Sequence, residues 1–240
     1  MSLQSLVHAV YPAQCVSCDA LTAEDHGLCA TCWRETRFAD DSSCSLCAAP
    51  VLGGTADALL ICDDCLQIAR PWSIGRAALL YEGVGRKLVL ALKHGDRTEL
   101  AVPAAKWMAR YGRECLEAEP MIVPIPLHWS RFLYRRYNQA ALLASALSQE
   151  SGSEWCPDVL YRPYRTKPLE GHSRDQRFAA MQDAIRIHPD RKQFVEDRII
   201  CLIDDVMTSG ATLASATEAL KGAGAKDVRV LVLARVAKDA

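Results

Sequence analysis

Beyond residue 70 the apolar positions fall into short runs separated by stretches of helical period. Ala77–Tyr81 is an apolar run that predicts a strand, and Gly85–Lys93 predicts a helix. Met121–Ile125 predicts a buried strand, followed by a helical stretch through Ser148. Asp158–Tyr161 predicts a further short strand, Arg198–Ile203 an apolar strand, Thr212–Gly222 a helix and Val228–Ala234 a last strand. Strands alternating with helices predict an α/β fold with a doubly wound, mainly parallel sheet. In such sheets ligands sit at the carboxyl ends of the strands. No apolar run reaches 18 residues, and no basic stretch leads into a short apolar segment with a cleavage site. The expectation is a cytoplasmic chain without a membrane span.

The first 70 residues lack this rhythm and are organised by cysteine instead. Eight of the eleven cysteines stand in four C-x-x-C pairs: Cys15/Cys18, Cys29/Cys32, Cys44/Cys47 and Cys62/Cys65. Two intervening residues form a tight turn that wraps two thiolates around one metal, and two such pairs complete the four-sulfur site that structural zinc prefers. The expectation is therefore two structural zinc ions. Four thiolates leave no open position for a substrate, and a segment this poor in large apolar side chains needs the metal to fold. Pairing in sequence gives two ribbons and interleaved pairing gives a cross-brace; sequential pairing is favoured. Disulfides fit the expected compartment poorly, and redox C-x-x-C motifs occur singly. Cys115, Cys156 and Cys201 are isolated and carry no assigned role. Arg70-Pro71-Trp72-Ser73 marks the expected boundary between a Cys-rich domain of residues 1–70 and an α/β domain of residues 71–240.

The formal charge of -1 conceals an asymmetry. Residues 1–70 carry three basic side chains against nine acidic ones, and the remainder is net basic. Zinc thiolates would make the front more negative still. The rear is thus the better partner for a polyanion.

The most specific local pattern is Ile199-Ile200-Cys201-Leu202-Ile203-Asp204-Asp205-Val206-Met207-Thr208-Ser209-Gly210-Ala211-Thr212. A buried strand delivers two adjacent carboxylates to its open end, and a small-residue loop leads into a helix. Ser209, Gly210 and Ala211 let backbone N–H groups converge on a phosphate at the helix N-terminus. Thr208, Ser209 and Thr212 add hydroxyls. The two acids suit the vicinal hydroxyls of a ribose, or a magnesium ion carried with the ligand.

This stretch resembles the phosphoribosyl pyrophosphate (PRPP) signature of type I phosphoribosyltransferases. The resemblance implies that Asp204 and Asp205 hold the ribose hydroxyls, and that Thr208, Ser209, Gly210, Ala211 and Thr212 hold the 5′-phosphate. Val123-Pro124-Ile125-Pro126-Leu127-His128 resembles the same family's pyrophosphate loop, at Pro126, Leu127 and His128. Arg135-Arg136-Tyr137-Asn138-Gln139-Ala140 resembles the R-G-F-N-Q-A of the ComF group, with Arg136 for Gly and Tyr137 for Phe. Tyr81-Glu82-Gly83, Leu92-Lys93-His94-Gly95-Asp96 and a double zinc ribbon in front resemble that group too. The likeness runs from about Cys15 to Arg235.

What the resemblance implies is a type I phosphoribosyltransferase fold behind a double zinc ribbon, and a pentosyl (glycosyl) transferase. Such an enzyme moves a phosphoribosyl group from PRPP, with magnesium, to a nitrogen nucleophile. Arg162–Arg177 fits the mobile loop that closes over substrate in this family, with Arg165, Thr166, Lys167, Arg174 and Arg177 as its candidate contacts. Leu169 and His172 depart from the group's pattern there, which usually has Gln and then an apolar residue. ComF-like proteins are linked with DNA uptake in competent bacteria. The alternative expectation is therefore a non-catalytic module that senses PRPP, binds single-stranded DNA or docks a DNA-uptake protein.

Overall fold

The computed structural model of the protein describes residues 12–23, 25–39, 42–51, 60–164 and 184–237. Two short helices, α1 (Ala30–Glu35) and α2 (Asp63–Gln67), belong to the Cys-rich front. Behind them run β1 (Ile74–Leu80), α3 (Gly83–His94), α4 (Ala101–Tyr111), α5 (Arg113–Leu116), β2 (Met121–Pro124), α6 (Trp129–Arg135) and α7 (Gln139–Ser151). The chain continues through β3 (Leu160–Tyr161), β4 (Arg186–Ile187), β5 (Ile199–Met207), α8 (Ala211–Gly222) and β6 (Asp227–Arg235).

β1, β6, β5 and β2 form one sheet in that order, and every pair in it is parallel. This is the doubly wound architecture expected of the type I phosphoribosyltransferase fold. Its strands are apolar nearly throughout because both faces are covered. One face packs Val123, Leu202, Val230 and Val232 against Leu213 and Leu220 of α8. The other packs Ile122, Ile203, Leu231 and Leu233 among Leu88 and Leu92 of α3, Met108 of α4 and Leu143 of α7. Each fully buried Leu, Ile or Val contributes about 1.5–3 kcal/mol relative to exposure.

Several elements differ from the sequence expectation. β5 runs on to Met207, so the acid pair lies inside the strand, two residues short of its end. β1 begins at Ile74 rather than Ala77, since its ladder with β6 starts at Ile74 opposite Arg229; Arg76 within it is paired with Glu114 at 2.6 Å. The helical stretch through Ser148 is broken into α6 and α7. Arg136 adopts a left-handed φ of 66°, and the Asn138 side chain then accepts from the Ala140 N–H to cap α7. The strand expected at Asp158–Tyr161 is β3. It stands outside the main sheet, antiparallel to β4, so its apolar pair serves a separate ribbon.

The two Cys-rich lobes dock on opposite faces of the sheet. Cys15, Val16 and Cys32 join the face of α3 and α4. Phe38, beyond this lobe, stacks on Tyr111 at 5.2 Å and meets Trp107 edge-on at 5.9 Å. Cys44, Cys47 and Cys65 join the face of α8, together with Trp72 and Met207. No helix among the described residues is long and apolar enough to cross a membrane.

Candidate functional site

The four cysteine pairs collapse into two sets, Cys15/Cys18/Cys29/Cys32 and Cys44/Cys47/Cys62/Cys65. Within each set all sulfurs lie within 4.8 Å of one another, so pairing is sequential. Tetrahedral Zn–S bonds of about 2.3 Å set sulfurs roughly 3.8 Å apart. Cys18 and Cys29 Sγ are 3.7 Å apart, and Cys47 and Cys62 Sγ 3.5 Å. The donor set fits structural zinc. Hydrogen bonds from Cys47 and Cys65 hold Cys44 far below the ordinary thiol value, and bonding to Cys44 and Cys47 pushes Cys65 far above it.

β2 and β5 are parallel neighbours, with Pro124 beside Ile203. The loops that follow them therefore leave the same edge of the sheet. The Ile125 N–H donates to the Ile203 carbonyl at 2.9 Å, and Asn138 Nδ2 donates to the Ile125 carbonyl at 2.9 Å. These bonds fix the start of the loop that holds Pro126, Leu127 and His128. His128 is buried and caps α6: its Nδ1 lies 3.3 Å from the Ser130 N–H and 2.9 Å from Ser130 Oγ. Its ring thus has a local task, and the loop's backbone is what can face a ligand. The next residue, Trp129, is 66% exposed, and Phe132 and Leu133 on the same helix are exposed as well.

Asp204 and Asp205 are bound differently. The Asp205 N–H donates to Asp204 Oδ1 at 2.8 Å, whereas Asp205 Oδ1 pairs with Lys93 Nζ at 3.0 Å. Burial, followed by the Asp205 charge, raises Asp204 to about 7; Lys93 and Arg162 oppose this. The site thus offers one firmly paired carboxylate and one that shares its proton near neutrality. Lys93 lies in the last turn of α3, and the Leu92 carbonyl beside it accepts from Tyr137 Oη at 2.8 Å. Tyr137 and Asn138 together brace both the helix that carries Lys93 and the loop after β2.

After β5 the chain turns through Thr208 and Ser209 to Gly210, whose φ of 82° suits glycine. Gly210 is the N-cap of α8 and offers it no side-chain acceptor. Among the described residues, the long contact from the Ala211 N–H to Ser209 Oγ (3.4 Å) is what softens that end. An uncapped helix start beside small residues is a ready place for an anion. Thr208 is exposed, and Ser209 and Thr212 are partly exposed.

The structure thus assembles Asp204, Asp205, the Thr208–Thr212 loop and the Pro126–His128 loop along one sheet edge. Arg165, Thr166, Lys167, Arg174 and Arg177 lie outside the described residues. Lys93 received no role from sequence, although its segment carried part of the ComF likeness. A lone lysine in the last turn of an amphipathic helix, just before Gly95, is a slight signal.

Two family models match the chain. The double zinc ribbon domain covers residues 6–66 and the phosphoribosyl transferase domain residues 139–240. The chain is 31% identical over 232 residues to DNA utilization protein YhgH of Salmonella typhimurium, covering 93% of this chain and 97% of that one. The chain belongs to the ComF family. Another relative of this ComF-family chain is Competence protein F of Haemophilus influenzae, 29% identical over 153 residues, 63% of this chain and 59% of that one. Among solved structures, the L. donovani hypoxanthine-guanine phosphoribosyl transferase is similar at a TM-score of 0.36 and 18% identity, covering 56% of this chain and 71% of that one.

Proposed function

We propose that this ComF-family chain binds PRPP at the carboxyl edge of its sheet. In this reading Asp204 and Asp205 accept hydrogen bonds from the ribose hydroxyls. Thr208, Ser209, Gly210, Ala211 and Thr212 hold the 5′-phosphate, and the backbone of Pro126, Leu127 and His128 faces the pyrophosphate. The single observation that carries it is the acid pair on β5 running directly into an uncapped helix start at Gly210. Magnesium would travel with the pyrophosphate. Residues 1–70 act as a metal-held buttress and residues 71–240 as the ligand-binding unit. Eight zinc-binding thiolates suit a reducing compartment, the cytoplasm.

Catalysis follows if a nitrogen nucleophile reaches ribose C1. The bond from C1 to pyrophosphate breaks as positive charge grows on the ribose, and held dipoles stabilise the departing anion. Arg165, Thr166, Lys167, Arg174 and Arg177 would close over the substrate and exclude water. The test is release of pyrophosphate from PRPP and magnesium in the presence of a panel of bases and amines. Turnover lost in Asp204→Asn/Asp205→Asn supports the enzyme; saturable binding with no turnover on any acceptor overturns catalysis and keeps the site.

A second reading is a non-catalytic PRPP sensor or single-stranded-DNA accessory in DNA uptake. The exposed Trp129 and Phe132 beside the loop after β2 favour it, since bases stack on such rings. The relatives' names, DNA utilization protein and Competence protein F, agree with it. Competition between PRPP and single-stranded DNA, with binding steeply weakened by salt, supports this reading.

A further inference from the structure

The second cysteine set is joined to the phosphate loop by two arginines. Arg70 spans the gap in one side chain: its Nε donates to Cys65 Sγ at 3.3 Å and its Nη1 to the Ser209 carbonyl at 2.7 Å. Arg235 does the same from the end of β6. Its Nη1 donates to the carbonyls of Met207 (3.0 Å) and Thr208 (2.7 Å), and its Nη2 lies 3.9 Å from Cys47 Sγ. Arg235 is 4% exposed, and such a cation is buried only where its surroundings supply negative charge. A zinc ion with four thiolates is a dianion, and this set faces two guanidinium groups.

The backbone fits as closely as the side chains. Trp72 Nε1 donates to the Leu46 carbonyl inside the Cys44–Cys47 turn at 2.6 Å. The Gly75 N–H donates to the Ser45 carbonyl of the same turn at 2.9 Å. On the other side, a Cβ added at Gly210 would stand 3.1 Å from both Arg70 Nη1 and the Trp72 ring. The metal turn, Trp72, Arg70 and the phosphate loop therefore form one packed stack. Among the described residues the first set has no such link: it joins the opposite face of the sheet, among the residues of α3 and α4.

We propose that Arg70 and Arg235 are positioning residues that couple the metal-bound state of Cys44/Cys47/Cys62/Cys65 to the shape of the Met207–Gly210 loop. The second metal site, and not the first, then sets how well the loop grips a phosphate. Arg70 and Arg235 turn the carbonyls of residues 207–209 toward themselves, which leaves the N–H groups of the same loop to face outward. Sulfurs that lose their metal lose their fixed positions, and both guanidinium groups lose an anchor. The affinity part of this proposal rests on the PRPP reading; the structural coupling does not.

The test uses the full chain loaded with 113Cd, which gives one resonance per four-sulfur site. Arg70→Met keeps the stem and removes both polar contacts, so the resonance it shifts belongs to the second set. Gly210→Ala presses on Arg70 and on the Trp72 ring from the loop without touching any cysteine. The expected result is a shift of that same resonance alone, and the same resonance moves when PRPP and magnesium are added. By calorimetry, Arg70→Met weakens PRPP about tenfold, or ~1.4 kcal/mol, with two metals still bound. A Gly210→Ala spectrum in which neither resonance moves, or both move alike, overturns the coupling. Unchanged PRPP affinity in Arg70→Met overturns the affinity part. If PRPP binds neither protein, the PRPP reading falls, and the Gly210→Ala spectrum still decides the coupling.

Discussion

Lys93 Nζ sits 3.0 Å from Asp205 Oδ1, joining the end of α3 to the acid pair on β5. Both side chains are mostly buried, at 21% and 13% exposure. Among the described residues, Asp204, one residue away, has no ion pair of its own at that distance. Removing Lys93 leaves two adjacent carboxylates in a poorly hydrated setting. Lys93→Met is expected to lower stability by about 1–3 kcal/mol at neutral pH, discounted from a fully buried pair for the remaining solvent. Urea unfolding of the two proteins measures it; equal midpoints would show that the pair contributes nothing.

Asp204 makes stability depend on pH in a defined direction. Burial raises it to about 7 from an ordinary carboxylate value, so folding favours its protonated form. That contribution is fully present in acid, below the unfolded value, and is lost as pH rises through about 7. Asp204→Asn imitates the protonated acid. Its melting temperature should gain on the wild type as pH rises from about 4 to about 7 and then level off, and a constant difference across that range contradicts the assignment.

The bracing by Tyr137 and Asn138 is testable without ligand. Tyr137→Phe removes the bond to the Leu92 carbonyl and should cost about 0.5–1.5 kcal/mol. Faster amide exchange should be confined to the last turn of α3, around Ala91–Gly95. Asn138→Ala removes both the cap of α7 and the bond to the Ile125 carbonyl, and should cost roughly 1–2 kcal/mol or more. Exchange spread evenly over the chain would deny the local role.

Elements that a few neighbouring residues specify were legible in the sequence. Four C-x-x-C turns are ligand pairs by covalent spacing, and both sets formed in sequence order. The apolar run into Asp204-Asp205 and the small-residue loop needed only their own stretch of chain. What escaped depends on partners distant in sequence. Ser209 is 139 residues beyond Arg70, and the Thr208 carbonyl answers Arg235 from another strand. Arg70-Pro71-Trp72-Ser73 therefore reads as punctuation between domains, although two of its side chains pack against the phosphate loop. α4 went unforeseen, although its buried Ala101, Ala104, Ala105 and Met108 recur at helical spacing and pack toward β1 and α7.

Metal content separates the two sets. Two zinc ions per chain are expected, falling to one in Cys18→Ser and to one in Cys62→Ser, read by elemental analysis. Loss of both ions in either variant would mean that the two sets do not bind independently.

The central claim is tested most directly by calorimetric titration of the full chain with PRPP and magnesium, beside the Asp204→Asn/Asp205→Asn protein. Saturable binding at one site per chain is expected, weakened about 100-fold or more when both carboxylate acceptors are lost. Equal binding by the two proteins, or no binding by the wild type, would contradict it.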